Sequence, residues 1–158
     1  ATEVLLVELR IPPPVVFLVS GLLMRMLAAV VPDLEVPVPD PARTIAAVLL
    51  LALGILCGAL GLRELHAAGT TPDPRYPEQA AALVTGGIYR YTRNPMYLGM
   101  AVILAAWAVW LDNLAALLGV PAFVAYISRF QILPEERALA ARFGAAYEAY
   151  RRSVRRWL

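Results

Sequence analysis

An all-α polytopic membrane protein is the fold this sequence predicts, and three observations predict it. Sixty per cent of the 158 residues are hydrophobic and only 16% are charged, well below the roughly 25% charged residues of soluble domains. Four stretches approach the ~20 apolar residues that a bilayer core of ~30 Å requires. The basic residues, all 14 of them arginine, gather on alternate connections. Such a chain has too much apolar surface to be disordered. Its formal net charge of +2 gives no case for nucleic acid as a partner. Residues 1–158 are expected to form one domain.

The predicted spans are 15–31, 44–62, 95–111 and 114–133. The first contains Arg25, the second carries no charge, and the fourth has Arg129 near its end. With Glu3 and Glu8 ahead of the first span and no cleavage site after it, that span is expected to stay in the chain. Segments 1–14, 63–94 and 134–158 hold eleven arginines, whereas the opposite connections hold Arg43 beside Asp33, Glu35, Asp40 and Asp112. The positive-inside rule therefore puts both termini and the 63–94 loop in the cytoplasm, as expected for a multi-pass protein of a cell inner membrane. The four prolines of 32–41 suit an extended external loop. Asp112-Asn113 forms the whole turn between spans three and four, so these make a tight hairpin. The 63–94 loop carries Pro72, Pro74 and Pro77 early and Gly86-Gly87 late. Its length and its Arg and Tyr content favour function.

After Pro134 a cytoplasmic helix is predicted over about 135–152. Leu139, Phe143, Ala146, Tyr147 and Tyr150 line one face, Pro134 suits its first turn, and Glu148 can pair with Arg151 or Arg152. Gly54, Gly58 and Gly61 form a small-residue face on span two that suits close helix packing. Trp107 and Trp110 read as interfacial anchors, and Trp157 as an anchor of the tail. His66 reads as a loop residue. Cys57 and His66, each the only one of its kind, leave no Cys/His metal cluster.

The densest polar chemistry lies in GIYRYTRNPMYLG at 87–99, leading into span three, and PEERALAARFG at 134–144, leaving span four. A hairpin of those spans brings the two ends together. The resulting site would combine Arg90 and Arg93, the rings and hydroxyls of Tyr89, Tyr91 and Tyr97, and the carboxylates of Glu135 and Glu136. The plainer account is a belt of arginine and tyrosine at the headgroups beside helix-terminal acids.

The two motifs, spaced about 35 residues apart, resemble the isoprenylcysteine carboxyl methyltransferase and phospholipid methyltransferase superfamily of membrane enzymes. TTP at 70–72 and LVTGG at 83–87 extend the resemblance, which runs from about Gly69 onward. It implies S-adenosylmethionine as methyl donor, bound on the cytoplasmic side, and a lipophilic acceptor reached from the bilayer. The acceptor could resemble a prenylcysteine carboxylate or a phospholipid amine. No GxGxxG follows a strand, so a Rossmann domain is not expected. Arg93, Pro95, Tyr97 and Gly99 match the family's R-(H/N)-P-x-Y-x-G, and Glu135 and Glu136 match its acidic pair. Asn94 stands where prenylcysteine enzymes have His, and Val154-Arg155-Arg156 where they continue Val-Pro.

By this resemblance the donor site comprises Tyr89, Arg90, Asn94, Pro95, Tyr97, Leu98, Gly99, Glu135 and Glu136, with Arg93, Glu136 and Tyr97 in the catalytic machinery. Carboxylates suit the donor's ammonium or ribose and arginine its carboxylate, while tyrosine faces suit its adenine or sulfonium. Glu136, the final acid, is expected to matter most. Two other readings compete: a nicotinamide-dependent enzyme resembling the sterol reductases, and a non-enzymatic membrane subunit whose basic end binds anionic lipid.

Overall fold

Prolines open the first three long helices. A computed structural model describes Leu9, 11–35, 37–70 and 80–158. Pro72, Pro74, Pro77, Arg75, the acids Glu3 and Glu8, and most of TTP lie outside these residues. Helix α1 (Pro13–Val30) starts within Pro12-Pro13-Pro14, α2 (Asp40–Ala67) at Asp40-Pro41, and α3 (Pro95–Trp110) at Pro95. At a first turn the missing N–H costs nothing, and the fixed φ is already helical. Helix α2 starts earlier than the predicted span and continues past it. His66 therefore lies in its last turn, exposed, and not in a loop.

Among the described residues every regular element is helical. Three helices among the described residues are long and apolar enough to cross a membrane: Pro13–Val30, Asp40–Ala67 and the continuous run Ala116–Phe143. Helix α3, equally apolar, has 16 residues, or about 24 Å at 1.5 Å per residue. Leu18 and Leu22 of α1 are 67% and 60% exposed, with Leu49, Ile55 and Leu56 of α2 similarly bare. Apolar faces this extensive are those of helices solvated by lipid. The shorter α3 is the central one, with Ala101, Leu104, Ala106 and Ala108 buried.

Glycines bring α2 and α3 together. A Cβ on Gly54 would lie 2.6 Å from Ile103 Cγ1 and 2.7 Å from the Gly99 carbonyl oxygen, and one on Gly61 would lie 2.8 Å from Pro95 Cγ. The packing face predicted for span two is real, with one correction. A Cβ on Gly58 meets nothing within 4 Å, so this residue contributes its backbone to the contact and not the missing side chain. Helix α1 lies across the bundle. Met24 fills the space above Gly119, and Phe17 meets Phe123 edge-on at 6.5 Å. Trp107 is not a lipid anchor, because its Nε1 donates to the Gly21 carbonyl at 3.0 Å. Trp157 does anchor the tail, packing against the core and donating to Ser128 Oγ, while Trp110 is exposed.

At the opposite end from the motifs, Asp112 turns the chain with φ 53°. Asn113 is buried and ties three segments. Its Nδ2 donates to Val31 O at 2.6 Å, and its Oδ1 caps the Ala116 N–H at 3.0 Å. Arg43 pairs with both Asp40 and Asp112.

The fourth predicted span does not end at 133. After a 3₁₀ turn (Ala116–Leu118), α4 (Gly119–Ile127) passes through a π turn (Ser128–Ile132) into α5 (Leu133–Phe143) without a break. The π turn has a covalent cause. Pro134 cannot donate to the carbonyl of residue 130 and would crowd it; the widened turn relieves that crowding, and the Leu9 N–H takes the freed oxygen at 3.1 Å. The predicted cytoplasmic helix is also two helices. Gly144, at φ 51° and ψ −124°, ends α5 and starts α6 (Ala145–Ser153) in a new direction. Tyr147 and Tyr150 of α6 pack with Tyr89, Leu65, Leu139 and Phe143, but Ala146 is exposed. The Glu148–Arg151 pair forms at 3.1 Å.

Candidate active site

Where α3 begins and α5 leaves the bundle, a cavity of about 630 Å³ opens. The starts of α1 and α3, the end of α2, and α5 and α6 enclose it. Its lining is mainly apolar, including Pro12–Pro14, Leu62, Leu65, Met96, Met100, Ile132 and Leu139. Into it come Tyr89, Arg93, Asn94, Pro95, Tyr97, Glu135 and Glu136, with Tyr147 and Tyr150. Seven of the predicted site residues thus converge. Arg90 and Tyr91 are exposed and do not line the cavity. Leu98 does not line it either, and Gly99 is spent on the contact with Gly54 and Gly58.

The adjacent acids have different neighbours because consecutive residues on a helix point about 100° apart. Glu135 Oε1 accepts a short hydrogen bond from the Tyr97 hydroxyl, and no ion pair to Glu135 forms among the described residues. Glu136 is buried between two guanidiniums. Arg156 grips it with both arms, Nε to Oε1 at 2.9 Å and Nη2 to Oε2 at 2.8 Å. Arg93 Nη1 reaches Oε1 at 3.1 Å. The same Nη1 donates to the Tyr147 hydroxyl at 3.2 Å. Arg93 Nε is buried with no hydrogen-bond partner among the described residues.

Tyrosines frame the site in neutral form. Burial drives the Tyr89 and Tyr150 hydroxyls well above the ordinary tyrosine pKa, and the Tyr150 hydroxyl donates to the Tyr89 carbonyl at 2.7 Å. Burial also raises Tyr147; the Glu136 charge adds to that shift and Arg93 opposes it. Hydrogen bonding to Glu136 holds Arg156 in its charged form.

Asn94 is committed elsewhere. Its Nδ2 donates to the Arg156 carbonyl at 2.9 Å, which also accepts the Thr92 hydroxyl at 3.3 Å. Sequence reasoning missed Arg156, because it follows both the break at Gly144 and the end of α6, where neither helical periodicity nor motif spacing connects it to Glu136. Arg25 and Arg129 are both exposed. Arg25 lines a second cavity at the opposite end of the bundle, with Glu35, Trp107 and Trp110, and Arg129 lies over the Phe130 ring.

Among known proteins, an uncharacterized protein of Haemophilus influenzae is 49% identical over 63 residues, 40% of this chain and 100% of that protein. No solved structure matches. The family described as "Phospholipid methyltransferase" matches residues 42–146, which run from the start of α2 to α6 and include both motifs of the cavity. A match over that much of the chain, on helices with lipid-facing surfaces, makes this an integral membrane methyltransferase belonging to the phospholipid methyltransferase family.

Proposed function

We propose that the chain transfers the methyl group of S-adenosylmethionine to a lipophilic acceptor that enters the cavity from the bilayer. The observation that carries this reading is that one largely apolar cavity is lined both by Arg93, whose buried Nε has no hydrogen-bond partner among the described residues, and by Glu135, a carboxylate with no ion pair among them. Buried polar groups left in this state favour a ligand of complementary charge. The donor's amino-acid end has that character: its carboxylate suits Arg93, and its ammonium or ribose suits Glu135. The cavity volume lies in the range of small-molecule sites, and Tyr89 and Tyr97 offer faces for adenine or sulfonium.

When bound, S-adenosylmethionine supplies an electrophilic methyl group on sulfonium. The chain's own residues position, desolvate and move a proton. Arg93 is steadied by Glu136 and Tyr147, so its guanidinium is oriented in advance. The apolar walls exclude water and strengthen each polar contact. Glu135, oriented by the Tyr97 hydroxyl, can take the proton that an amine acceptor must lose. A carboxylate acceptor needs no base and would instead call on an arginine. Glu136 is held by two arginines, so the ligand-facing role falls to Glu135 in place of the Glu136 expected from the motif.

Helix α3, sheltered by its neighbours, serves as the fourth span, and the arginine-rich end carrying the cavity faces the cytoplasm of the inner membrane. The test is calorimetric titration of the purified protein with S-adenosylhomocysteine, and with NADPH in parallel. Saturable binding of the first alone is expected, and Glu135→Gln should weaken it about ten- to a hundredfold, the value of one charge-assisted contact of roughly 1.5–3 kcal/mol. Glu136→Gln should weaken it less. Equal affinity in wild type and a well-folded Glu135→Gln variant would falsify the assignment.

A further inference from the structure

The tail beyond α6 returns to the site through six hydrogen bonds. The Arg155 carbonyl accepts the Arg93 N–H at 3.1 Å. The Arg156 carbonyl accepts Thr92 Oγ1 and Asn94 Nδ2. The Arg156 guanidinium grips Glu136 with two bonds, and Trp157 Nε1 donates to Ser128 Oγ at 3.1 Å. The tail thus joins the start of α3 to the π turn and to α5. Asn94, within the motif expected to bind the donor, spends its amide on this tail.

The consequence lies in how Glu136 is shared. A carboxylate takes a guanidinium best as a parallel two-bond fork. Arg156 occupies that fork on Glu136 through Nε and Nη2. Arg93 is left with a single contact to Glu136 from Nη1, and its buried Nε–H has no partner among the described residues. We propose that Arg156 is a positioning residue for methyl transfer: by holding the fork of Glu136 it keeps Arg93 from closing on that carboxylate, and so leaves the Arg93 guanidinium, which lines the cavity, available to the donor's carboxylate. This rests on the donor reading above. Arg156 itself does not line the cavity, so it acts through Glu136 and Arg93.

Without Arg156, a buried Glu136 would retain one guanidinium within reach, and Arg93 would turn to it with both arms. Arg156→Gln should therefore weaken S-adenosylhomocysteine about tenfold in the folded protein. A tail that acted only as a structural strap would lower the melting temperature and leave the affinity of the folded fraction unchanged. The two accounts separate further in the double variant. Adding Glu136→Gln removes the charge that captures Arg93, so Arg156→Gln/Glu136→Gln should bind more tightly than Arg156→Gln alone. A strap predicts equal or weaker binding.

The experiment titrates S-adenosylhomocysteine into wild type, Arg156→Gln, Glu136→Gln, the double variant and Arg156→Lys, with melting curves for each. Recovery of affinity in the double variant supports the proposal. Unchanged affinity in Arg156→Gln, or a double variant no tighter than that single change, overturns it. If Arg156→Gln does not fold, Arg156→Lys decides. Lysine keeps the charge but cannot form the fork, so a loss of about threefold is expected and unchanged affinity overturns the proposal. Wild-type protein that binds no S-adenosylhomocysteine overturns the donor reading itself, and this proposal with it.

Discussion

Adding one methyl group at Gly54 should destabilise this protein, whereas the same change four residues later at Gly58 should not. An alanine Cβ at Gly54 would sit 2.6 Å from Ile103 Cγ1, 2.7 Å from the Gly99 oxygen and 3.1 Å from the Ile103 nitrogen. Ordinary contacts lie near 3.5–4.0 Å. The Ile103 side chain can rotate away, but the Gly99 oxygen and Ile103 nitrogen belong to the α3 backbone and cannot. Relief requires α2 and α3 to part by several tenths of an ångström along their shared face. Overpacking of this kind costs about 1–3 kcal/mol. A Cβ at Gly58 meets nothing, so alanine there only removes the entropic cost of glycine, a gain of about 0.5–1 kcal/mol. The two variants should therefore differ by at least about 1 kcal/mol, with Gly54→Ala the weaker. Equilibrium unfolding in mixed micelles, followed by circular dichroism, measures this difference. Equal stability of Gly54→Ala and Gly58→Ala would refute the close contact, and with it the seat of Pro95 and Tyr97 at the cavity.

Other outcomes follow from particular contacts. Asn113→Ala leaves the Val31 carbonyl and the Ala116 N–H without their side-chain partner at a buried turn, so it should cost about 1–3 kcal/mol in the same unfolding assay; a silent change would show that water replaces both bonds. Gly61→Ala pushes on Pro95 at the cavity wall, so it should weaken S-adenosylhomocysteine binding as well as stability; an effect on stability alone would separate that glycine from the site. Single cysteines near Asp112 and near Arg155 should label from opposite sides of the membrane. Labelling from one side would undo the topology in which α3 crosses.

Composition together with four apolar stretches of near-spanning length determined that the chain is a helical membrane protein. A backbone in lipid must be satisfied within helices or a closed barrel, and long continuous apolar runs such as 44–62 suit helices. Pro95 marked where α3 begins, whereas Pro13 and Pro41, left outside the predicted spans, stand in the first turns of α1 and α2. The two polar motifs supplied seven of the residues that meet at the cavity, because a helical hairpin brings its ends together. What periodicity could not reach was long-range and covalent in detail. Pro134 looked like a helix start, but a π turn upstream absorbs it and the helix runs on. Gly144 looked like part of one helix, yet its left-handed φ divides the run in two. Gly54, Gly58 and Gly61 looked alike, and only the position of α3 distinguishes the two that must lack a side chain from the one that offers only its backbone. Glu135 and Glu136 are indistinguishable as a pair of acids. Their separation by about 100° around α5 gives one to Tyr97 and the other to Arg93 and Arg156. The place of Arg156, twenty residues from Glu136 and beyond two helix ends, depends on a tail whose path is set by contacts with Thr92, Asn94 and Ser128, and no local signal in the sequence encodes it.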